Sequence, residues 1–228
     1  LFTEPLGTFA DALLVKTGPA GSREAQHISM LLAEKGPGFT VGRRLEKLGY
    51  KGLDSAELVF TDYRVPADRL IGGVEGRGLA CALTGLELGR VNVAARGVGI
   101  AQRALDEALA YAKTRRTFGR PIAEHQAIAM KLADMATRTE AARLLTEKAA
   151  RMLASGARSD LEAGMAKLFA TEAAVENSLE AMRIHGGYGY SKEYVVERLY
   201  RDAPLLVIGE GTNEIQRLVI AKRLVGEG

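Results

Sequence analysis

The stretch AQRALDEALAYAK, residues 101–113, sets the fold class of the larger part of the chain. Its apolar residues recur at intervals of three and four from Ala101 to Ala112, which is the period of one face of an amphipathic helix. Similar stripes run through residues 128–152 and 165–182, and a shorter helical segment follows at about 212–225. The sequence therefore predicts three long helices and a short one, arranged as an up-down four-helix bundle.

The first third of the chain has a different pattern. Short apolar or alternating runs at residues 12–15, 27–32, 39–41 and 57–60 are separated by Gly, Pro, Ser and Asp, which is typical of strands and turns. Glycines at 72, 73, 76 and 78 then mark a connection. We therefore expect an α+β fold, with a small partial β-barrel or sandwich domain over residues 1–74 and a helical bundle domain over residues 75–228.

Capping signals support these helix ends. Ser159, with Glu162 three residues on, forms a capping-box pattern before the third helix. Gly186 and Gly187 indicate where that helix stops, and Thr212 is an N-cap candidate for the last helix.

Composition limits the function classes. The 228 residues are 47% hydrophobic and 26% charged, with no apolar run long enough for a membrane span, which excludes a disordered or membrane-spanning chain. The net charge of +3 is spread along the sequence, so nucleic acid is not implied. Cys81, the single cysteine, allows no internal disulfide, and no secretory signal follows Leu1. We expect a cytoplasmic protein whose chain begins partway through its gene product.

Glu210 is the leading candidate for a catalytic residue. It follows the apolar segment at 204–209 and precedes the proposed cap Thr212. A carboxylate in such a place is partly desolvated, so its pKa should rise and it can act as a base. Backbone N–H groups nearby could donate hydrogen bonds to a developing oxyanion. The alternative is an ordinary loop acid that stabilises the start of a helix.

Three arginines are further candidates. Arg90 lies among small and apolar residues, which suggests burial, and Glu87 three residues earlier could be its ion-pair partner. Arg115 and Arg116 follow the predicted end of the first long helix, where cations are favourable for the helix itself. Each arginine therefore also has a purely structural explanation.

The glycine-rich segment HGGYGY, residues 185–190, lies between helices. Its backbone N–H groups could contact a pyrophosphate, although no strand precedes it, so it is not a dinucleotide-binding fingerprint. A helix-ending turn is the structural alternative. His27 and His125 have no ligand-like spacing with an acid or thiol, so we expect no metal site.

Nine segments, taken in order, resemble the acyl-CoA dehydrogenase family over nearly the whole chain. They are LFTEP at 1–5, DYRVP at 62–66, GR at 89–90, RRTFG at 115–119, Gln126, KLADM at 131–135, IHGGYG at 184–189, ERLYRD at 197–202 and EGTNEIQR at 210–217. The resemblance implies a middle β domain and a C-terminal helical domain that hold FAD in a homotetramer or homodimer. It also implies that an acyl-CoA thioester is dehydrogenated to the trans-2-enoyl-CoA, with electrons passed to an electron-transfer flavoprotein.

The resemblance also implies roles for individual residues. Glu210 would remove the α-proton, and Glu87, Arg90 and Gly211 would lie on the substrate side. Relatives that carry the base on the first long helix have it at the position of Gly89, so the resemblance assigns the base to Glu210. The implied cofactor contacts are Thr3, Arg115, Gln126, Arg183, Ile184, His185, Gly186, Gly187, Thr212, Asn213 and Glu214.

Two other functions are compatible with the sequence. A non-catalytic helical oligomerisation module would not retain flavin. An O₂-using flavin oxidase on the same scaffold would make hydrogen peroxide without an electron-transfer flavoprotein.

Overall fold

The computed structural model describes residues 11–19, 21 and 24–226, so the predicted cofactor contact Thr3 lies outside the described residues. Within them the chain is mostly helical with small antiparallel sheets. It divides into two compact units, Leu1–Leu86 and Glu87–Gly228. The domain boundary at residue 75 stays a prediction.

The described part of the first unit contains two antiparallel strand pairs. β1 (Asp11–Lys16) pairs with β2 (Ile28–Ala33), and Leu13 lies opposite Leu31. β3 (Phe39–Arg44) pairs with β4 (Ala56–Phe60), with a register shift in β3 before Arg44. The four predicted strand runs are thus confirmed. The described strands form separate two-stranded sheets, and a partial barrel or sandwich stays a prediction.

Five helices follow. They are α1 (Gly78–Thr114), α2 (Gln126–Ala154), α3 (Asp160–His185), α4 (Val196–Ile208) and α5 (Asn213–Val225). Two short strands, β5 (Arg116–Thr117) and β6 (Arg120–Pro121), form a tight antiparallel pair between α1 and α2. The three long helices and the last short one confirm the predicted segments.

Helix α3 lies at the centre of the second unit, where it packs against α2, α4 and α5. Its buried face carries small and polar side chains, including Ala163, Ala166 and Ala170. Helix α1 approaches it so closely that a Cβ at Gly97 would lie 2.7 Å from the carbonyl oxygen of Ala170. Small residues permit this approach because a larger side chain on either helix would overlap the other backbone.

Helix α4 is missing from the sequence prediction, which expected four helices. Pro204 lies inside α4, and a proline in a helix interior removes one backbone hydrogen bond. Val196, Ala203 and Leu206 are nevertheless buried on one face of this helix. Burial of that face outweighs the cost of the proline, so the described residues form five helices instead of four.

One capping prediction is wrong. Ser159 does precede α3, but its side chain makes no capping hydrogen bond. Its Oγ is buried and has no hydrogen-bond partner among the described residues. The predicted cap at Thr212 is confirmed, since Thr212 Oγ1 accepts a hydrogen bond of 3.4 Å from the backbone N–H of Ile215.

None of the described helices carries an apolar run long enough to cross a membrane.

Candidate active site

The turn between α4 and α5, residues 209–212, has an unusual backbone. Glu210 has φ of 54° and Gly211 has φ of 83°, so both lie in the left-handed region. A non-glycine residue rarely adopts this conformation because its Cβ crowds the following carbonyl. At Gly211 a Cβ would also lie 2.9 Å from Nε2 of Gln216. The turn therefore requires glycine at 211 and places backbone strain at the candidate base.

The carboxylate of Glu210 lies against the backbone of α1 at Gly89. A Cβ added to Gly89 would lie 2.8 Å from Cδ of Glu210, well inside normal contact distance. Only glycine at 89 leaves room for this carboxylate.

Glu210 is exposed in this structure, so the partial desolvation expected from the sequence is wrong for the described residues. Its carboxylate makes no ion pair within 4 Å among them. It is thus available to a ligand. What holds Glu210 in place is its backbone: the side-chain amide of Gln216 donates to the carbonyls of Glu210, at 3.2 Å, and Gly211, at 3.0 Å.

Arg90 is buried, as the sequence indicated, with 7% of its surface exposed. The predicted ion pair with Glu87 is absent among the described residues. Nε of Arg90 is buried without a hydrogen-bond partner among them. Glu87 is half-buried on the same helix. Arg90 and Glu87 lie near Gly89 on α1. Contact with substrate stays a prediction for these two residues and for Gly211.

Lys167 is a residue that the sequence analysis missed. It lies on the buried face of α3 and is fully buried. Its Nζ donates to the carbonyl of Gly211 and to Oδ1 of Asn213, both at 2.8 Å. The pKa of Lys167 is lowered to about 8, mainly by burial and also by the charge of Arg90, while the charge of Glu214 opposes this shift. A signal was available in the sequence, since Lys167 is a single cation among the alanines of that face.

A second site lies where α1, the β5–β6 pair and the end of α3 meet. It is a cavity of about 600 Å³, and five of the predicted cofactor contacts line it: Arg115, Ile184, His185, Gly186 and Gly187. Tyr111 stacks on the ring of His185, with centroids 4.2 Å apart, and forms part of the wall. This cavity shares no residue with the Glu210 turn.

The helix end at this cavity is also unusual. Gly186 has φ of 62° and ψ of −137°, a conformation that glycine adopts and L side chains avoid, and α3 stops there as predicted. Nδ1 of His185 lies 2.8 Å from the carbonyl of Ala181 and can donate to it. The ring is thereby fixed against the cavity wall.

The remaining predicted cofactor contacts lie outside the cavity lining. Gln126 begins α2 and is exposed, next to the lining residue His125. Arg183 is exposed and pairs with Glu180 at 2.7 Å. Their contact with a cofactor stays a prediction.

Three further predicted contacts begin α5. Asn213 is buried, and its amide nitrogen donates to Oγ1 of Thr171 at 3.0 Å. Glu214 is exposed, and hydrogen bonds from its own backbone N–H and from Thr212 hold the pKa of its carboxyl below the usual value. Thr212 is half-buried. The side chain of Asn213 is thus engaged inside the protein, whereas that of Glu214 faces outward.

Among the described residues, no group of three His, Cys, Asp or Glu side chains is arranged so that it could hold a metal ion.

Comparison with known proteins adds independent findings. The family model described as the C-terminal domain of acyl-CoA dehydrogenase matches residues 76–225. An acyl-CoA dehydrogenase of Bacillus subtilis (strain 168) is 49% identical over 221 residues, which cover 96% of this chain and 58% of that protein. Butyryl-CoA dehydrogenase from Megasphaera elsdenii has a TM-score of 0.91 and 41% identity, over 95% of this chain and 56% of that one. The FAD complex of PigA has a TM-score of 0.92 and 30% identity, over 100% of this chain and 58% of that one.

This chain thus spans somewhat more than half the length of these relatives. The matched segment of the family model includes all five helices, the Glu210 turn and the cavity. On this evidence the chain belongs to the acyl-CoA dehydrogenase family.

Proposed function

We propose that this chain is part of an FAD-dependent acyl-CoA dehydrogenase that converts an acyl-CoA thioester into the trans-2-enoyl-CoA. One observation carries the choice of base: the Glu210 carboxylate lies against the bare backbone of α1 at Gly89. Membership in the family supports the flavin chemistry.

The cavity beside Arg115 fits the adenosine-diphosphate part of FAD. The guanidinium of Arg115 lines it and makes no hydrogen bond or ion pair with the described side chains. A Cβ added at Gly186 or Gly187 would meet no atom within 4 Å, so the space beside this backbone is open. The N–H of Gly186 donates to the carbonyl of Arg183, so the charge of Arg115 is the feature of this cavity that suits a pyrophosphate. When bound, FAD would supply the acceptor that takes the β-hydrogen of the substrate as hydride.

Glu210 would act as the general base. An α-proton beside a thioester is weakly acidic, so its removal requires both a positioned carboxylate and stabilisation of the enolate oxygen. The carboxylate is accessible, and the backbone N–H of Glu210 has no acceptor among the described residues. That N–H can therefore donate to the thioester oxygen while an Oε atom of the same residue receives the proton.

Replacing Glu210 by Gln tests the assignment. The variant keeps the size of the side chain and removes the base, so we expect normal flavin content and at least about a 100-fold loss of dehydrogenation. Glu147→Gln is a matched control, because Glu147 is a partly exposed carboxylate on α2 that pairs with Arg151. Near-normal turnover in Glu210→Gln would show that another residue is the base.

The two alternatives give different results in the same preparation. A dehydrogenase purifies yellow and bleaches when a saturated acyl-CoA is added under anaerobic conditions. A colourless protein that shows no bleaching with acyl-CoA of any chain length supports the oligomerisation module. Hydrogen peroxide formed in air without an electron-transfer flavoprotein supports the oxidase.

We expect electrons to pass to an electron-transfer flavoprotein and the subunits to form a homodimer or homotetramer in the cytoplasm. Large apolar side chains exposed on α5, among them Leu218, Leu224 and Val225, support further assembly.

A further inference from the structure

Lys167 is the largest side chain that is fully buried in the described part of the protein. Lysine is almost never buried unless its charge is compensated, because removing an ammonium group from water is unfavourable. No carboxylate forms an ion pair with Lys167 among the described residues. The negative charges of nearby glutamates, Glu214 first among them, favour the ammonium form from a distance, whereas the hydrogen bonds of Nζ go to neutral acceptors.

These acceptors surround the Glu210 turn. Nζ donates to the carbonyl of Val207 at 3.3 Å, to the carbonyl of Gly211 at 2.8 Å and to Oδ1 of Asn213 at 2.8 Å. An ammonium group has three donors, and all three are used here. The acceptors belong to the last turn of α4, to the turn itself and to the first residue of α5.

The same turn holds the strained backbone of Glu210, with φ of 54°. Without Lys167 Nζ, the Gly211 carbonyl would keep only its 3.0 Å hydrogen bond from Gln216. The Val207 carbonyl would lose its hydrogen bond to α3. The turn could then relax toward a more common conformation, which would rotate the Glu210 side chain away from Gly89.

We propose that Lys167 is a positioning residue, which ties α4, the Glu210 turn and α5 to α3 and so directs the Glu210 carboxylate toward Gly89. The kinetic part of this inference rests on the proposed function, whereas the structural part does not. The three hydrogen bonds of Nζ go to residues on either side of Glu210, so Lys167 would act on the carboxylate through the backbone of the turn.

The test replaces Lys167 by Met in the flavin-loaded protein. Met has a similar length and no donor, so hydrogen–deuterium exchange of the peptide covering residues 207–213 should become at least about 10-fold faster, while exchange in α2 is unchanged. The kcat should fall about 10-fold or more with little change in KM, because an ångström of misplacement weakens the chemical step more than binding. Lys167→Arg, which keeps the charge and donors, should lie closer to the parent protein in both measurements.

Ser178→Ala is the matched control on the same helix. Ser178 is also fully buried, and its Oγ donates to the carbonyl of Ala174 at 2.7 Å, away from the turn. Its loss should leave exchange at 207–213 and kcat at the parental values. If Lys167→Met does not fold, Lys167→Gln carries the test, since its shorter amide side chain buries no charge and loses the three hydrogen bonds that the ammonium makes, and it should show the same two effects.

The proposal requires both effects. Exchange at 207–213 equal to that of Ser178→Ala would overturn it, as would faster exchange with parental kcat, or a loss of kcat with unchanged exchange. A failure of the proposed function is recognised separately. If Glu210→Gln keeps its turnover, the base is assigned wrongly, and the exchange measurement still decides whether Lys167 holds the turn.

Discussion

Replacing Gly89 by Ala should separate stability from activity. Gly89 lies in the interior of α1, where alanine is favoured over glycine by about 0.5–1 kcal/mol. The new methyl group would lie 2.8 Å from Cδ of Glu210. Because Cδ is near the end of a flexible side chain, the carboxylate can move away at little cost in folding free energy. The variant should therefore be at least as stable as the parent, with the unfolding midpoint raised by about 1–4 °C.

The same movement should impair catalysis. A normal carbon–carbon contact is about 3.5–4.0 Å, so the carboxyl carbon must retreat by roughly 1 Å from its 2.8 Å position. A displacement of that size from the reacting atoms costs up to about 100-fold in rate. We expect kcat to fall by roughly 10- to 100-fold with normal flavin content.

Gly99→Ala provides the control. Gly99 lies in the same helix, and a Cβ added there meets no atom within 4 Å. The Gly99→Ala variant should gain the same helix stability and keep the parental kcat. Thermal unfolding followed by circular dichroism and single-turnover bleaching of the flavin measure the two quantities. Parental kcat in Gly89→Ala, or an equal loss in both variants, would refute the placement of the carboxylate beside Gly89.

Two other predictions concern charged residues. The folded protein should release the proton of Lys167 at about pH 8, whereas the unfolded chain holds it to about 10.5, a difference that corresponds to roughly 3 kcal/mol. Between these pH values the unfolded state binds more protons than the folded state, so the parent should become more stable relative to Lys167→Met as the pH rises. Urea unfolding of both proteins measures this difference in unfolding free energy. A difference that stays flat or falls with pH would contradict the lowered pKa. Arg115→Ala should weaken flavin retention by roughly 10-fold or more, as expected for loss of a charge-assisted hydrogen bond. Its neighbour Arg116, which is exposed and donates to the carbonyl of Gly119 at 2.7 Å, gives the control Arg116→Ala, and equal flavin loss in the two variants would argue against the cavity as the cofactor site.

The secondary structure was largely predictable because its signals are local. The periodicity of α1 and α2, the alternating strand runs and the cap at Thr212 depend on residues a few positions apart. Helix α4 was not predicted, since Pro204 is a local signal against a helix and the buried face that outweighs it depends on packing against α3.

The face that α3 buries could not be read from hydrophobicity. The predicted stripe, which includes Met165, Leu168 and Val175, is only half-buried in the structure. The small and polar side chains between them are buried instead, because α3 is surrounded by helices that approach closely. In such a position side-chain size matters more than apolarity.

The sequence by itself determined the helices other than α4, the first four strands, the family pattern and the identity of the candidate base, because periodicity and motifs are properties of neighbouring residues. Only the tertiary structure decided that the Glu210 carboxylate lies beside Gly89, that Arg90 is buried without Glu87, and that Lys167 supports the turn. Gly89, Lys167 and Glu210 are far apart in the chain, so their relation depends on how the helices pack. That packing is a balance of side-chain volumes and buried polar groups over the whole helical unit.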